Sequence, residues 1–325
     1  MNEPVRQHLV PRVYLKQFAL SKRKDWFIDA YDVAEKRHIT GLNIDNICVK
    51  KDFYTFKKLP DDHKRFLERF YGNTVEADYP QIYQALVNPK HHKISDNFRF
   101  KIISYVISQY WRTSKLTNTF TKFWNNSMEH AYNLMEAYSP ERIIQNGDQI
   151  ISFENRTFDE YKAESDNESR ESINADSYRR FRDLTLRRIN NGIAVYKVHP
   201  SHRLITSDNP VSSSGNIYDP ASLIRIPLDS HHMVTLIPFE NEVLFDNKTI
   251  SRTYLDERAS YFQTTVLNHC QFGQSEKFVL GHKENIDFIL DQRENLDQQK
   301  FKDECVAYAK KMQDKLEFVK KIYQV

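Results

Sequence analysis

Residues 192–198 read Gly192-Ile193-Ala194-Val195-Tyr196-Lys197-Val198, and the hydrophobic period of the chain changes at this run. Downstream, short β-like stretches at 193–198, 203–207, 223–226 and 233–237 are separated by Pro, Asn and Ser turns, which predicts a mixed sheet. Upstream the spacing is helical. Ser95-Asp96-Asn97 offer N-caps, and Phe98, Ile102, Tyr105, Gln109, Arg112 and Leu116 then recur at steps of three and four residues. That stripe is apolar at both ends and polar at Gln109 and Arg112. A helix over 61–86 is also expected, kinked or divided by Pro80, and a third over 120–138, ending before Pro140.

Further out, 26–31 alternates as a strand should and 47–56 is rich in β-branched and aromatic residues. Glu35-Lys36-Arg37 and Gly41 supply a turn between them, so an N-terminal hairpin or meander is predicted. The run 165–176 is polar and acidic and reads as a mobile loop before an Arg-rich helix. At the other end, 254–269 reads as helix, 278–280 as a last strand, and Phe301, Cys305, Tyr308, Met312, Leu316, Val319 and Tyr323 form one helical stripe. The stripe reads as a helix docked on the protein's own core, with a homodimer through this helix as the alternative. The expectation is an α+β fold, with a helical middle and a C-terminal helix packed around a mixed or antiparallel sheet. It divides into a single domain over 1–282 and a helical extension over 283–325.

At 325 residues with 13% aromatics the chain can bury a core unaided, whereas only 7 Gly leave little room for Gly-rich phosphate loops. Cys48, Cys270 and Cys305 are too few and too scattered for a disulfide framework or a zinc set. The N-terminus lacks the apolar run of a signal peptide, and no stretch approaches a membrane span, so the expectation is a cytoplasmic protein with no membrane partner. A net charge of +3 is too balanced to mark a nucleic-acid binder, but the charges are blocked. Residues 97–128 hold five bases and no acid, and 141–176 hold ten acids against four bases. Segregated faces follow.

Common catalytic signatures are missing: no Gly-x-Ser-x-Gly elbow, phosphate-binding loop or dinucleotide fingerprint occurs. Asp148 with Glu160-Tyr161-Lys162 imitates a metal-dependent nuclease spacing, but such triplets usually mark a solvated face. Arg225 and His231 stand in an Arg-x5-His pattern broken by Pro227, and the pairs His91-His92 and His231-His232 read as surface histidines.

Three features remain. His8-Leu9-Val10-Pro11-Arg12-Val13-Tyr14-Leu15-Lys16-Gln17-Phe18 can anchor through Tyr14, Leu15 and Phe18 and so fix the His8 imidazole, either as acid, base or ligand or merely bonded to a turn. Leu204-Ile205-Thr206-Ser207-Asp208-Asn209-Pro210-Val211 ends an apolar strand in polar groups, as a crevice would need or as an Asx-type turn would. Arg112 beside Gln109 needs a partner, because burying an unpaired charge costs several kcal/mol; Asp208 or Glu76 is the natural carboxylate, and a bound anion is the alternative.

These stretches, with Asn46-Ile47-Cys48-Val49-Lys50-Lys51-Asp52-Phe53-Tyr54, Arg112-Thr113 and Ile226-Pro227-Leu228, resemble the bacterial domain-of-unknown-function 4238 family over about residues 5–282. The resemblance implies that His8, Glu76, Gln109, Arg112, Ser207, Asp208 and Asn209 occupy the family's polar motif positions, and that members are candidates for phage defence. On this reading the chain is a hydrolase of nucleic acid or another phosphate-containing substrate. His8, Glu76 and Asp208 would be catalytic, and Gln109, Arg112, Ser207 and Asn209 would bind substrate. Arg112 would clamp an anion, and Asp208 would orient His8 or hold a divalent cation such as magnesium. The alternative is a non-catalytic sensor or interaction protein in which the same groups form a buried network.

Overall fold

Anchoring of the N-terminus is the first act of the fold. Strand β1 (Arg6–His8) runs into Pro11, whose fixed φ starts the one-turn helix α1 (Arg12–Leu15), and Tyr14, Leu15 and Phe18 are buried. Strands β2 (Leu20–Lys22), β3 (Asp25–Asp32) and β4 (Arg37–Asn43) form the expected meander, and β5 (Val49–Lys51) pairs antiparallel with β1, His8 opposite Val49. Gly41 does not make the turn. It lies within β4 at φ +67, opposite a register shift between Ile28 and Ala30, while Lys36 adopts the positive φ near the turn. The strand expected over 47–56 shrinks to β5 because Cys48 and Asp52, at φ 55 and 50, turn the chain out of the ladder on either side.

This computed structural model describes residues 6–139, 141–238 and 248–323, apart from the side chains at 116, 149 and 312–323. In the middle of the chain, α2 (Phe66–Phe70) passes into a π-helical turn over Tyr71–Glu76, and α3 (Tyr79–Val87) restarts with Pro80 in its first turn, so the proline divides the helix. Helix α4 (Asp96–Trp111) is capped by Ser95, whose hydroxyl accepts the Phe98 N–H at 3.2 Å. Ile103, Val106 and Ile107 are buried as well as Ile102, Tyr105, Gln109 and Arg112 of the predicted stripe, so the second half of α4 is buried on more than one face, while Phe100 near its start is 42% exposed. The extended backbone of Thr113 separates it from α5 (Ser114–Tyr138).

After the hairpin β6 (Ile143–Asn146) and β7 (Gln149–Ser152) comes the largest departure from expectation. The run 165–176 is no loop but the centre of α6 (Phe158–Arg187). A capping box between Thr157 and Glu160 starts it, and Asp176 pairs with Arg179 and Arg180 one turn on. Its buried face uses small polar groups: Asn174 donates to the Phe53 carbonyl at 2.6 Å. Tertiary contact supplies what apolar periodicity does not.

Strands β8 (Gly192–Lys197), β9 (Thr206–Ser207), β10 (Ser212–Ser213), β11 (Ile224–Pro227), β12 (His232–Ile237) and β13 (Ile250–Tyr254) are followed by α7 (Glu257–Gln274), β14 (Phe278–Gly281), α8 (Lys283–Asn295) and α9 (Gln298–Tyr323). The downstream sheet has the order β10-β11-β12-β8-β13 and is mixed, β13 running parallel to β8. The N-terminal meander is completed from far along the chain: β14 pairs with β3 and carries β9 on its other side. The chain thus adopts an α+β fold, with two five-stranded sheets where one was expected.

Helix α8, assigned on sequence to the extension, sinks Ile286 and Ile289 into a cluster with Ile205, Phe272 and Val279. In α9, Phe301 and Tyr308 stack on Phe262 of α7 at 5.9 and 5.0 Å, so the first half of the stripe packs on the protein's own core. The side chains of Met312, Leu316, Val319 and Tyr323 lie outside the described residues. Ile286→Ala should lower unfolding stability by about 2–5 kcal/mol in a denaturant titration; a loss under about 0.5 kcal/mol would show that α8 is not part of the core.

Candidate functional site

Arg112 ends α4 with a side chain only 2% exposed, and its charge is answered locally. Nη2 donates to Glu76 Oε1 at 2.7 Å and to the His8 carbonyl at 2.9 Å, and the guanidinium lies 4.8 Å from the centre of the Tyr71 ring. Tyr71 and Glu76 both come from the π-helical turn, which is what aims them at one guanidinium. The Tyr54 hydroxyl closes the cluster by donating to the Arg112 carbonyl. Desolvation pulls the Arg112 pKa down and the Glu76 carboxylate more than restores it, so the group stays charged. Of the two carboxylates the sequence offers, Glu76 is the partner.

Gln109, one turn earlier, is fully buried, and its Oε1, like Arg112 Nε, has no hydrogen bond from the protein. His8 turns its ring to the Ile44 carbonyl, Nε2 at 3.3 Å, and burial lowers its pKa. Its backbone, not its imidazole, meets Arg112. His8 and Asp208 are not bonded to each other.

The run Thr206–Asn209 works as a latch. Thr206 Oγ1 meets the Tyr14 hydroxyl at 2.7 Å, and Ser207 Oγ donates to Gln271 Oε1 at 2.7 Å. Asn209 joins α7 and the α4–α5 junction: its Nδ2 donates to the Gln274 carbonyl at 3.2 Å and its Oδ1 accepts from Thr113 Oγ1 at 2.9 Å. Asp208 accepts three backbone N–H groups, from Glu276, Lys277 and Phe278, at 2.9, 2.8 and 3.0 Å. The turn it closes is therefore not its own but one about seventy residues later. Burial raises its pKa against the pull of those three donors.

These contacts bring the motif segments around one cavity of about 480 Å³. The β1–β5 ladder, continued by Leu9 N–H donating to the Cys48 carbonyl at 2.8 Å, sets Leu9 and 46–50 on one side. The β9–β14 ladder sets Asp208 beside Glu276, Lys277 and Phe278 on another. Ser114 and Asn118, at the start of α5, close the third by donating to the two oxygens of Glu276. Lys50 lines the cavity with a pKa lowered by burial and supported by Glu276 and Asp208; Lys115 just beyond has the same shift for the same reasons. Cys48, also on the wall, is not an activated thiol, since burial lifts its pKa well above the usual value.

The predicted site residues thus divide. Asp208 lines the cavity; His8, Glu76, Gln109, Arg112, Ser207 and Asn209 do not, and of these all but Gln109 bond segments that build or adjoin its sides. Lys50, Ser114, Glu276 and Lys277 were missed as site residues. Lys50 stood inside a quoted motif, but nothing in the sequence distinguishes Glu276 or Lys277. Asp229 gathers the Tyr83 hydroxyl at 2.7 Å and His232 Nδ1 at 2.9 Å, so His232 is a held histidine, not a free surface one. Glu160 is occupied in its capping box, which removes it from the nuclease-like triplet. Among the described residues no three His, Cys, Asp or Glu side chains converge as metal ligands.

The family described as "Protein of unknown function (DUF4238)" matches residues 6–285. The chain belongs to this family. The matched segment spans all three sides of the cavity and ends inside α8, so the DUF4238 unit includes the start of that helix. No curated protein and no solved structure matches the chain. No helix among the described residues is long and apolar enough to cross a membrane.

Arg112→Ala should cost about 3–5 kcal/mol of stability, because Glu76 is left without its cation, and adding Glu76→Gln should return part of the loss; equal stability of the two variants would contradict the pairing. For His8 the folded pKa is below the ordinary 6.5, so the unfolded chain takes up the proton first. Its contribution is full above that pH and is lost as pH falls through the folded value. His202, His231 and His269 shift the same way, so the test is a comparison: the melting temperature of His8→Gln should fall less steeply below pH 6.5 than that of the parent.

Proposed function

We propose that the DUF4238 chain hydrolyses a phosphate-containing substrate, nucleic acid foremost, in the cavity lined by Leu9, Lys50, Ser114, Asp208 and Glu276. The observation that supports this most is the meeting there of three motif segments, at Leu9, 46–50 and Asp208, around a partly dehydrated lysine beside two carboxylates. A dehydrated ammonium attracts a phosphate strongly and gives up its proton readily. Lys50 and Lys277 hold the phosphate, and Lys50 donates a proton to the leaving oxygen. Glu276, oriented by Ser114 and Asn118 and free of backbone duties, takes the proton of the attacking water. Asp208 positions the 276–278 turn and does not itself exchange protons. The two carboxylates of the cavity are engaged by hydrogen bonds from the protein, Asp208 by three backbone N–H groups and Glu276 by Ser114 and Asn118, and no step is assigned to magnesium.

The rival, a non-catalytic sensor, draws on a different observation: Glu76, Arg112, Ser207 and Asn209 are engaged with other parts of the protein. One pair of variants separates the two readings. Glu276→Gln should keep oligonucleotide binding and lose hydrolysis by about 10²–10⁴-fold, and Lys50→Ala should weaken binding itself. A folded parent protein that binds oligonucleotides but releases no product, with or without magnesium or manganese, would establish the sensor instead. In the phage-defence setting that the family resemblance implies, cells carrying Lys50→Ala should lose whatever protection the parent confers in phage plating.

A further inference from the structure

The acidic run of α6 builds one wall of a second cavity, about 750 Å³ in volume, facing α5. That wall mixes acceptors with rings and aliphatics: Glu164, Ser165, Glu168, Ser169 and Ser172 share one helix face, flanked by Tyr161 at one end and Ile173 at the other. The opposite wall is aromatic, made of Phe120, Phe123 and Trp124, with Phe120 51% and Phe123 71% exposed. The two walls make no hydrogen bonds to each other, and the Glu164 and Glu168 carboxylates stay 66% and 55% exposed, open to a ligand's donors. Glu168 spends one oxygen on Lys58 at 2.6 Å and Glu164 one on Arg156 at 3.3 Å. Arg156 stands at the edge, 5.0 Å from the centre of the Tyr161 ring.

We infer that this cavity binds a nucleobase. The flat ring stacks on Phe123 and its neighbours, and its amino and ring N–H groups donate to the carboxylates and serines of α6. Arg156 meets the attached phosphate. Rings on one side and acceptors on the other match a flat ligand with donors along its edge, and the volume falls within the range of small-molecule pockets, about 300–1,000 Å³. Because the α6 carboxylates accept, adenine, guanine and cytosine should be preferred to uracil, which lacks an amino group. A neighbouring cavity of about 520 Å³ shares Phe120 and Ser172 with it, and shares Tyr110 and Asn216 with a third that carries Thr113 and Asn209. The base cavity is independent of hydrolysis and holds equally if the cavity at Lys50 only binds.

The test titrates the full-length protein with adenosine, guanosine, cytidine and uridine monophosphates and with short single-stranded oligoadenylate, reading Trp124 fluorescence against a Trp124→Phe control. Saturable quenching is expected, weakest for uridine monophosphate by at least about tenfold, a difference of about 1.4 kcal/mol. Phe123→Ser, at an exposed position that leaves folding intact, should weaken every ligand, and Glu168→Gln should erase the preference for amino-bearing bases. Saturation by mononucleotides identifies a free nucleotide as the ligand, and saturation by oligoadenylate alone identifies a base within a strand. Absence of quenching by all five ligands, or binding unchanged by Phe123→Ser, overturns the inference, as does a preference that survives Glu168→Gln.

Discussion

A guanidinium buried in the interior constrains everything near it. Arg112 is charged at any physiological pH and can stay buried only while Glu76 faces it, and residues 71–76, in a π-helical turn, carry Glu76 to it. The same guanidinium holds the His8 carbonyl, which fixes the end of β1 and, through the ladder to β5, the segment that carries Lys50. One ion pair therefore joins the end of α4, the chain entry and a wall of the cavity. Misplacing any of the three leaves a buried charge or carbonyl unanswered, so the cost falls on wrong arrangements more than it rewards the right one.

Thr206–Asn209 does for the second half of the chain what Arg112 does for the first. Between them its four residues hydrogen-bond α1, α7, the α4–α5 junction and the turn before β14, and Asp208 supplies the only side chain in the set that both braces the structure and borders the cavity. Three backbone donors on one carboxylate fix the turn that carries Glu276 and Lys277, two residues with no motif of their own. Polar residues at motif positions are thus mainly builders. The groups that face outward into the cavity are held in place by them.

Helix α6 illustrates how polarity misleads when context is lacking. Its sequence carries no apolar stripe, yet the capping box, the Asp176 ion pairs and the Asn174 bond to Phe53 suffice once α4 and α5 provide a surface. The serines and glutamates that weaken its signature as a helix are those that give the cavity beside it a hydrogen-bonding wall.

Local sequence determined the α+β class, the caps and breaks at Ser95, Pro80 and Pro11, the anchoring of Tyr14 and Phe18, and the need of Arg112 for a carboxylate, because each follows from backbone sterics, side-chain periodicity or the cost of burying charge. Glu76 over Asp208 as the partner, helix at 165–176, and Glu276 and Lys277 in the cavity were decided only by the tertiary structure. Those outcomes depend on which distant segments meet: β14 inserted between β3 and β9, a turn closed by an aspartate far up the chain, and a helix whose face is defined by its neighbours. Hydrogen bonds and burial across such separations leave no period or spacing in the chain for a reader to find.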